Sequence, residues 1–573
     1  MKINRTMTFY PFSYTIMTLI LSAYFAIFLN LPIYSDLKTI FNKLETVDTG
    51  FIISIPLFFF CTLNILFALF TWPKITKIFF SILIITSSIV CYASYNYGVI
   101  FDIDMIRNIV ETNAGEATSY LSMNSVLWVI ILGIIPTISL WLSPIRPERS
   151  VLRLVGKKLL TIGISLLGII IIAMFYYQDY ASVGRNNSYL RKLIIPTYYV
   201  HSLDRFIREN YLTAPMDYQQ LGLDAYQPTP TASNGKPTLF VFVLGETARS
   251  QNYQLNGYPR ETNPYTSKSD VIAFQHVSSC GTATAVSVPC MFSRLNKSDY
   301  NERVALHQDN VLDILNRAGV DVLWRENDGA DKHVPARLRE ENLSRSSSNP
   351  LCNGTSCLDI KLLEDFQDKV ASMKGNRIIV LHLIGSHGPT YYQRYPKEFA
   401  AFQPDCPRAD IENCTQEQLI NTYDNTIRYT DYVVGQTIDQ LKSLEDRYNT
   451  AMIYMSDHGE SLGEDGVYLH GLPYSIAPKY QTHVPLLLWM SPGFKQTKSV
   501  NEACLKTEAQ QARISHDYLF DTLLGALDVT TQAYRPQQDV FAKCRASNPA
   551  MAIVQLSKKS AAPPTPLIST DTP

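Results

Sequence analysis

The chain has 573 residues, too many for one ordinary core, so more than one folding unit is expected. The net charge of −1, the 18% charged residues and a mean hydropathy of −0.02 look bland but conceal a split. Residues 1–200 hold 15 Lys/Arg and 9 Asp/Glu, residues 201–573 hold 35 and 42, and all ten histidines follow residue 200. A simple soluble enzyme is excluded, and the near-neutral balance argues against a nucleic-acid partner.

A bilayer-spanning helix needs about 20 mostly apolar residues. Five stretches qualify, at 11–34, 51–72, 76–98, 124–144 and 158–177. The first lacks a small-x-small cleavage site and reads as a retained signal anchor. Orientation follows the basic residues of short loops. Lys2 and Arg5, Lys74 and Lys77, and Arg146, Arg149, Arg153, Lys157 and Lys158 mark the cytoplasmic side. The opposite loops carry Asp36, Glu45 and Asp48, then Asp102, Asp104, Glu111 and Glu116. Five spans that start inside place everything after residue 180 outside the cytoplasm.

Ser188–Tyr211 mixes Tyr189, Tyr198 and Tyr199 with Arg191, Lys192, Arg205 and Arg208, a pattern suited to the headgroup plane. Gln227–Pro237 reads as a linker, and the Ser/Pro/Thr-rich tail from Leu556 as disordered. The expected organisation is a membrane domain over 1–180, bridging helices and linker over 181–236, a catalytic domain over 237–555 and a tail over 556–573.

Cys61 and Cys91 fall within spans, whereas eight cysteines follow residue 200. No CxxC pair favours a zinc cluster, and an oxidising compartment favours disulfides. Sequence neighbours suggest Cys280–Cys290, Cys352–Cys357 and Cys406–Cys414, with Cys504–Cys544 left to pair. Spacing alone does not fix connectivity.

The second part reads as α/β. Strands are expected at Thr238–Leu244, Val271–His276, Val320–Trp324, Arg377–Ile384, Ala451–Ser456 and Val484–Trp489. Helices are expected at Asp309–Ala318, Gln416–Leu444 and His516–Leu527. Alternation of these elements implies a mostly parallel sheet covered on both faces, with its site beyond the strand carboxyl ends. Glu246, Asp457, His458, His387 and His470 stand at or after such ends, each near a glycine. A lone histidine is more often structural, but together these residues supply oxygen and nitrogen ligands suited to zinc. The loop Cys280–Cys290 adds the hydroxyls Thr282, Thr284 and Ser287 without bulky side chains. A hydroxyl is a weak nucleophile unless a base or metal activates it. The bland alternative for this loop is a disulfide-tied turn that caps a helix.

The motifs Gly245–Arg249, Cys280–Thr284, Ser386–Pro389 and Ser456–Glu464 resemble those of the lipid A phosphoethanolamine transferases. These are members of the alkaline-phosphatase/sulfatase superfamily that include polymyxin (colistin) resistance enzymes. The resemblance spans nearly the whole chain. It implies an α-helical five-span domain plus an α/β, alkaline-phosphatase-like (sulfatase-like) domain. It further implies Thr284 as the nucleophile, and Glu246, Thr284, Asp457 and His458 as ligands of Zn²⁺. His387 and His470 would lie near the substrate phosphate or a second zinc, and Lys332 would contact that phosphate. His382 is either a substrate-site residue or a core histidine. Asn108, Thr112 and Glu116, four apart and so on one helical face, would line the headgroup pocket, with Glu116 toward the ethanolamine cation. Asp328 and Asp331 remain unassigned.

The expected donor is phosphatidylethanolamine and the expected acceptor a phosphate of lipid A, reached by ping-pong transfer through Thr284. The alternative acceptors are a lipopolysaccharide core sugar or a surface protein. A monomer in the bacterial inner membrane with a periplasmic catalytic domain is expected.

Overall fold

The computed structural model describes residues 11–545 apart from 45, 113, 147, 149, 229–234 and 330. The side chains of 114–116, and so that of Glu116, and the tail after 545 lie outside this description.

Among the described residues, four helices are long and apolar enough to cross a membrane: Thr49–Phe70, Thr76–Tyr97, Met123–Leu142 and Val151–Asn186. A fifth span exists only if a bent pair, Tyr14–Leu29 and Leu31–Phe41, counts as one. The unbroken anchor expected over 11–34 is therefore corrected. The chain turns by 50° at Asn30, just before Pro32, which has no N–H to continue the helix. Fully buried Asn30 stabilises the break. Its amide donates to the carbonyls of Phe25 (2.9 Å) and Ile195 (2.7 Å), and its oxygen accepts from the Ile195 N–H (2.9 Å). The break is thus pinned to the segment after the last apolar helix. There, the helix Thr197–Ile207 turns Tyr199, Ser202 and Phe206 inward. The Tyr199 hydroxyl meets Thr86 and Ser87 of the Thr76–Tyr97 helix at 2.8 and 3.0 Å.

The strands β1 (Thr238–Gly245), β2 (Ile272–Phe274), β3 (Asp321–Glu326), β4 (Arg339–Asn342), β5 (Arg377–His382), β6 (Asn449–Ser456) and β7 (Leu486–Met490) form one sheet. Its order is β2-β7-β6-β1-β5-β3-β4. All neighbouring pairs from β6 to β4 are parallel, and β7 runs antiparallel to both β6 and β2. The six expected strands are present, and β4 is an addition. Its sequence, Arg-Glu-Glu-Asn, has no apolar signature because it is an edge strand. The central strands β1, β5 and β6 are buried at every position, as expected of a sheet covered on both faces.

Register brings distant residues level. Leu244 pairs with Met455 on one side and His382 on the other, and His382 pairs with Glu326. The ends of β6, β1, β5 and β3 therefore deliver Asp457, Glu246, His382 and Glu326 along one edge.

All four disulfides suggested by sequence are formed: Cys280–Cys290, Cys352–Cys357, Cys406–Cys414 and Cys504–Cys544. Cys61 and Cys91 are free and buried among the apolar helices.

Candidate active site

Thr284 is the first residue of the helix Thr284–Phe292, preceded by an extended Ala283. The Cys280–Cys290 bridge ties the approaching loop to that helix. The Thr284 hydroxyl lies 3.3 Å from both carboxylate oxygens of Glu246 and 3.3 Å from His458 Nε2. Position at a helix N-terminus favours negative charge on that oxygen. Of the expected residues, Glu246, Thr284, Asp457 and His458 are thus brought together.

The donor geometry calls for a cation. One Asp457 oxygen accepts from the backbone N–H groups of Thr247 (3.1 Å) and His458 (2.7 Å). The other, Oδ2, is buried with no hydrogen-bond partner among the described residues, 3.2 Å from His458 Nε2. His458 Nδ1 donates to the Gly459 carbonyl at 3.0 Å, so Nε2 carries a lone pair. Burial lowers the His458 pKa to about 4, which keeps the ring neutral. A lone pair therefore faces Oδ2 of Asp457 and, at 3.5 Å, an oxygen of Glu246. Three buried oxygen and nitrogen donors converging in this way fit a divalent metal, and the carbonyl behind His458 is the usual partner of a metal-bound imidazole. The donor atoms of Glu246, Asp457 and His458 lie within 4.8 Å of one another.

Glycine is required beside this centre by close approach. A Cβ on Gly385, whose φ is +48°, would stand 2.6 Å from the Glu246 carbonyl oxygen.

The two other histidines face the same side. The His470 ring lies 4.4 Å from that of His458 and 5.6 Å from that of His387, centroid to centroid. His470 Nδ1 donates to Glu460 Oε2 at 2.8 Å. The other oxygen of Glu460 accepts from the Tyr391 hydroxyl. Glu460 lies inside the 456–464 motif, without a role assigned from sequence; its bond to Nδ1 orients His470.

His516 is a second omission. Its Nδ1 accepts the Cys280 N–H at 3.0 Å, and its Nε2 donates to the Ser456 carbonyl at 2.9 Å. One buried ring thus joins the loop of Thr284 to the strand end of Asp457. Burial lowers its pKa to about 4. No local motif marks it, because its two partners lie in remote segments of the chain.

His382 closes β5 with no exposed surface, and its Nδ1 donates to Glu326 Oε2 at 2.7 Å. Burial alone would push this imidazole down, but the Glu326 carboxylate raises it to about 9.

The membrane side differs from expectation. Asn108 is buried in the helix Ile103–Glu111, but Thr112 has extended backbone and a separate helix begins at Ala114. The i,i+4 spacing therefore does not put Glu116 on the face of Asn108. Thr112 also spends its hydroxyl on the Asn108 carbonyl at 2.6 Å, a local bond that competes with helix continuation. Lys332 is buried, has a φ of +49°, and places its ammonium 3.7 Å from Glu111 of that helix. Arg107 of the same helix pairs with Glu302 of the sheet-containing part.

Comparisons with known proteins agree with this geometry. Residues 238–529 match the sulfatase family model, and residues 59–211 match the model described as phosphoethanolamine transferase EptA/EptB. The phosphoethanolamine transferase EptA of Salmonella typhimurium is 40% identical, over 92% of this chain and 96% of its own length. The chain belongs to the phosphoethanolamine transferase family. The phosphatidylethanolamine transferase Mcr-2 of Escherichia coli is 35% identical, over 91% of this chain and 96% of its own. The integral membrane lipooligosaccharide phosphoethanolamine transferase A of Neisseria meningitidis superposes with a TM-score of 0.88 at 35% identity. That match covers 94% of this transferase and 100% of the other chain.

Proposed function

We propose that this membrane-anchored transferase moves phosphoethanolamine from phosphatidylethanolamine to a phosphate of lipid A. The observation that carries the reading is the Thr284 hydroxyl, 3.3 Å from Glu246 and His458, with the buried Asp457 carboxylate 3.2 Å from the same His458 nitrogen. Relatives named as phosphoethanolamine and lipooligosaccharide phosphoethanolamine transferases support the group transferred and the class of acceptor.

Glu246, Thr284, Asp457 and His458 would hold Zn²⁺, which when bound lowers the pKa of a hydroxyl and offsets charge that develops on phosphate. In the first half-reaction, Thr284 Oγ1 attacks the donor phosphorus. The bond from phosphorus to diacylglycerol breaks, and the Thr284 proton leaves to the carboxylate side of the site. The departing oxygen takes a proton from His387 or from His470, whose imidazolium form, with Nδ1 held by Glu460, carries that proton on Nε2. In the second half-reaction a lipid A phosphate oxygen attacks the same phosphorus and Thr284 leaves. Lys332 and His387 bind the phosphate, and Asn108, Thr112 and Glu116 belong to the headgroup side. The catalytic part lies in the periplasm and the apolar helices in the bacterial inner membrane. Each transfer adds an ammonium to an anionic surface, which weakens attraction of polymyxin and other cationic peptides.

Mass spectrometry of lipid A from cells that express the chain tests the acceptor. Lipid A should gain phosphoethanolamine with the wild type and not with Thr284→Ala. Unmodified lipid A alongside a modified core sugar or surface protein would overturn the assignment.

A further inference from the structure

Glu246 belongs to two groups of donors. Its carboxylate lies within 4.8 Å of donor atoms of Asp457 and His458, and equally within 4.8 Å of donor atoms of Asp328 and His382. All of these side chains are buried.

The second group has the architecture of a ligand set. His382 Nδ1 gives its hydrogen to Glu326 Oε2 at 2.7 Å, because a carboxylate can only accept. Glu326 is itself held by Trp324 Nε1 at 2.9 Å and by the Gly329 N–H at 2.8 Å. That leaves His382 Nε2, which is buried and has no hydrogen-bond partner among the described residues. An imidazole whose far nitrogen is fixed by a carboxylate is how proteins present histidine to a metal, and a bound cation would take the place of the Nε2 proton. Two carboxylates and one such imidazole suit zinc or manganese better than calcium or magnesium. Asp328 also lines a cleft of about 30 Å³ with His387, Thr390 and Arg394.

We propose that Glu246, Asp328 and His382 bind a second divalent cation, with Glu246 bridging it to the zinc of the Thr284 centre. This rests on the zinc reading of that centre. The second ion fixes the Glu246 carboxylate from behind and places positive charge beside the cleft. Its location differs from the His387 and His470 position that the family resemblance suggests.

The test is zinc content and anomalous diffraction at the zinc edge, on the full-length chain purified in detergent and loaded with zinc alone. Wild type should show a peak between Glu246, Asp328 and His382 as well as one at Thr284. Asp328→Asn, a near-isosteric change, should lose about one zinc per chain and only the first-named peak. Asp457→Asn should weaken the Thr284 peak instead. The His387→Asn/His470→Asn double variant should keep both peaks. A single peak at Thr284 in wild type, or zinc content unchanged by Asp328→Asn, would overturn the second site and leave the first. A second ion that vanishes only in the double variant would overturn it too. A wild-type chain that binds no zinc overturns both readings. The wild-type map decides the matter even if a variant fails to fold.

Discussion

The Thr284 centre and the helix Ile103–Glu111 are built to opposite standards. At the centre, Asp457, His458, Glu460, His470 and His516 are each held by hydrogen bonds to groups from the chain around them, in a water-poor edge of the sheet. On the helix, Asn108 and Thr112 bond to one another, and two ion pairs, Arg107–Glu302 and Lys332–Glu111, join it to the sheet-containing part. The Thr284 centre is thus over-determined, whereas among the described residues the helix Ile103–Glu111 is tied to the sheet-containing part by these two ion pairs. A fixed reaction centre can serve two lipid substrates of different shape if the surface that receives them is the adjustable part.

Four substitutions would break or sharpen this contrast. The largest effect is expected at the oriented histidine. His470→Asn should lower kcat on the order of 10²-fold, as loss of a general acid does, and Glu460→Gln about tenfold with little change in KM. Steady-state kinetics in mixed micelles would read this; a change confined to KM would place His470 in binding rather than proton transfer.

The next effect is on stability. His516 is held down to about 4 by burial, against an ordinary value of 6.5, so its folded form resists protonation. Its contribution is complete above about pH 6.5 and is lost as pH falls from there toward 4. The shift corresponds to roughly 3 kcal/mol. Thermal unfolding of His516→Gln should depend less on pH across that window than wild type. An unchanged slope would remove His516 from the account.

The smallest effect belongs to the other region. Glu111→Gln releases Lys332 from a part-exposed pair, so the change should stay within about 1 kcal/mol, seen as a modestly lower KM for donor with kcat preserved. A collapse of kcat would show that the helix is as tightly specified as the centre.

Much of this was legible in the chain. Glu246, Asp457 and His458 could be read because an apolar β-branched run that stops at a carboxylate or imidazole beside glycine marks a strand end. The disulfides could be read because three pairs are close in sequence. The relation of Glu326 to His382 could not be, since it depends on the register of two strands far apart in the chain. His516 was hidden for the same reason. The placement of Asn108, Thr112 and Glu116 on one helical face was misjudged because spacing assumes one helix, whereas Thr112 leaves it. The bend at Asn30 escaped notice because hydropathy ignores a polar side chain that bonds across to Ile195.

The central claim is that Thr284 carries the transferred group. Intact-mass measurement of the purified chain, incubated with phosphatidylethanolamine and no acceptor, addresses it directly. Wild type should gain one phosphoethanolamine, released when lipid A is added, and Thr284→Ala should gain none. An adduct of the same mass that persists in Thr284→Ala would contradict the account.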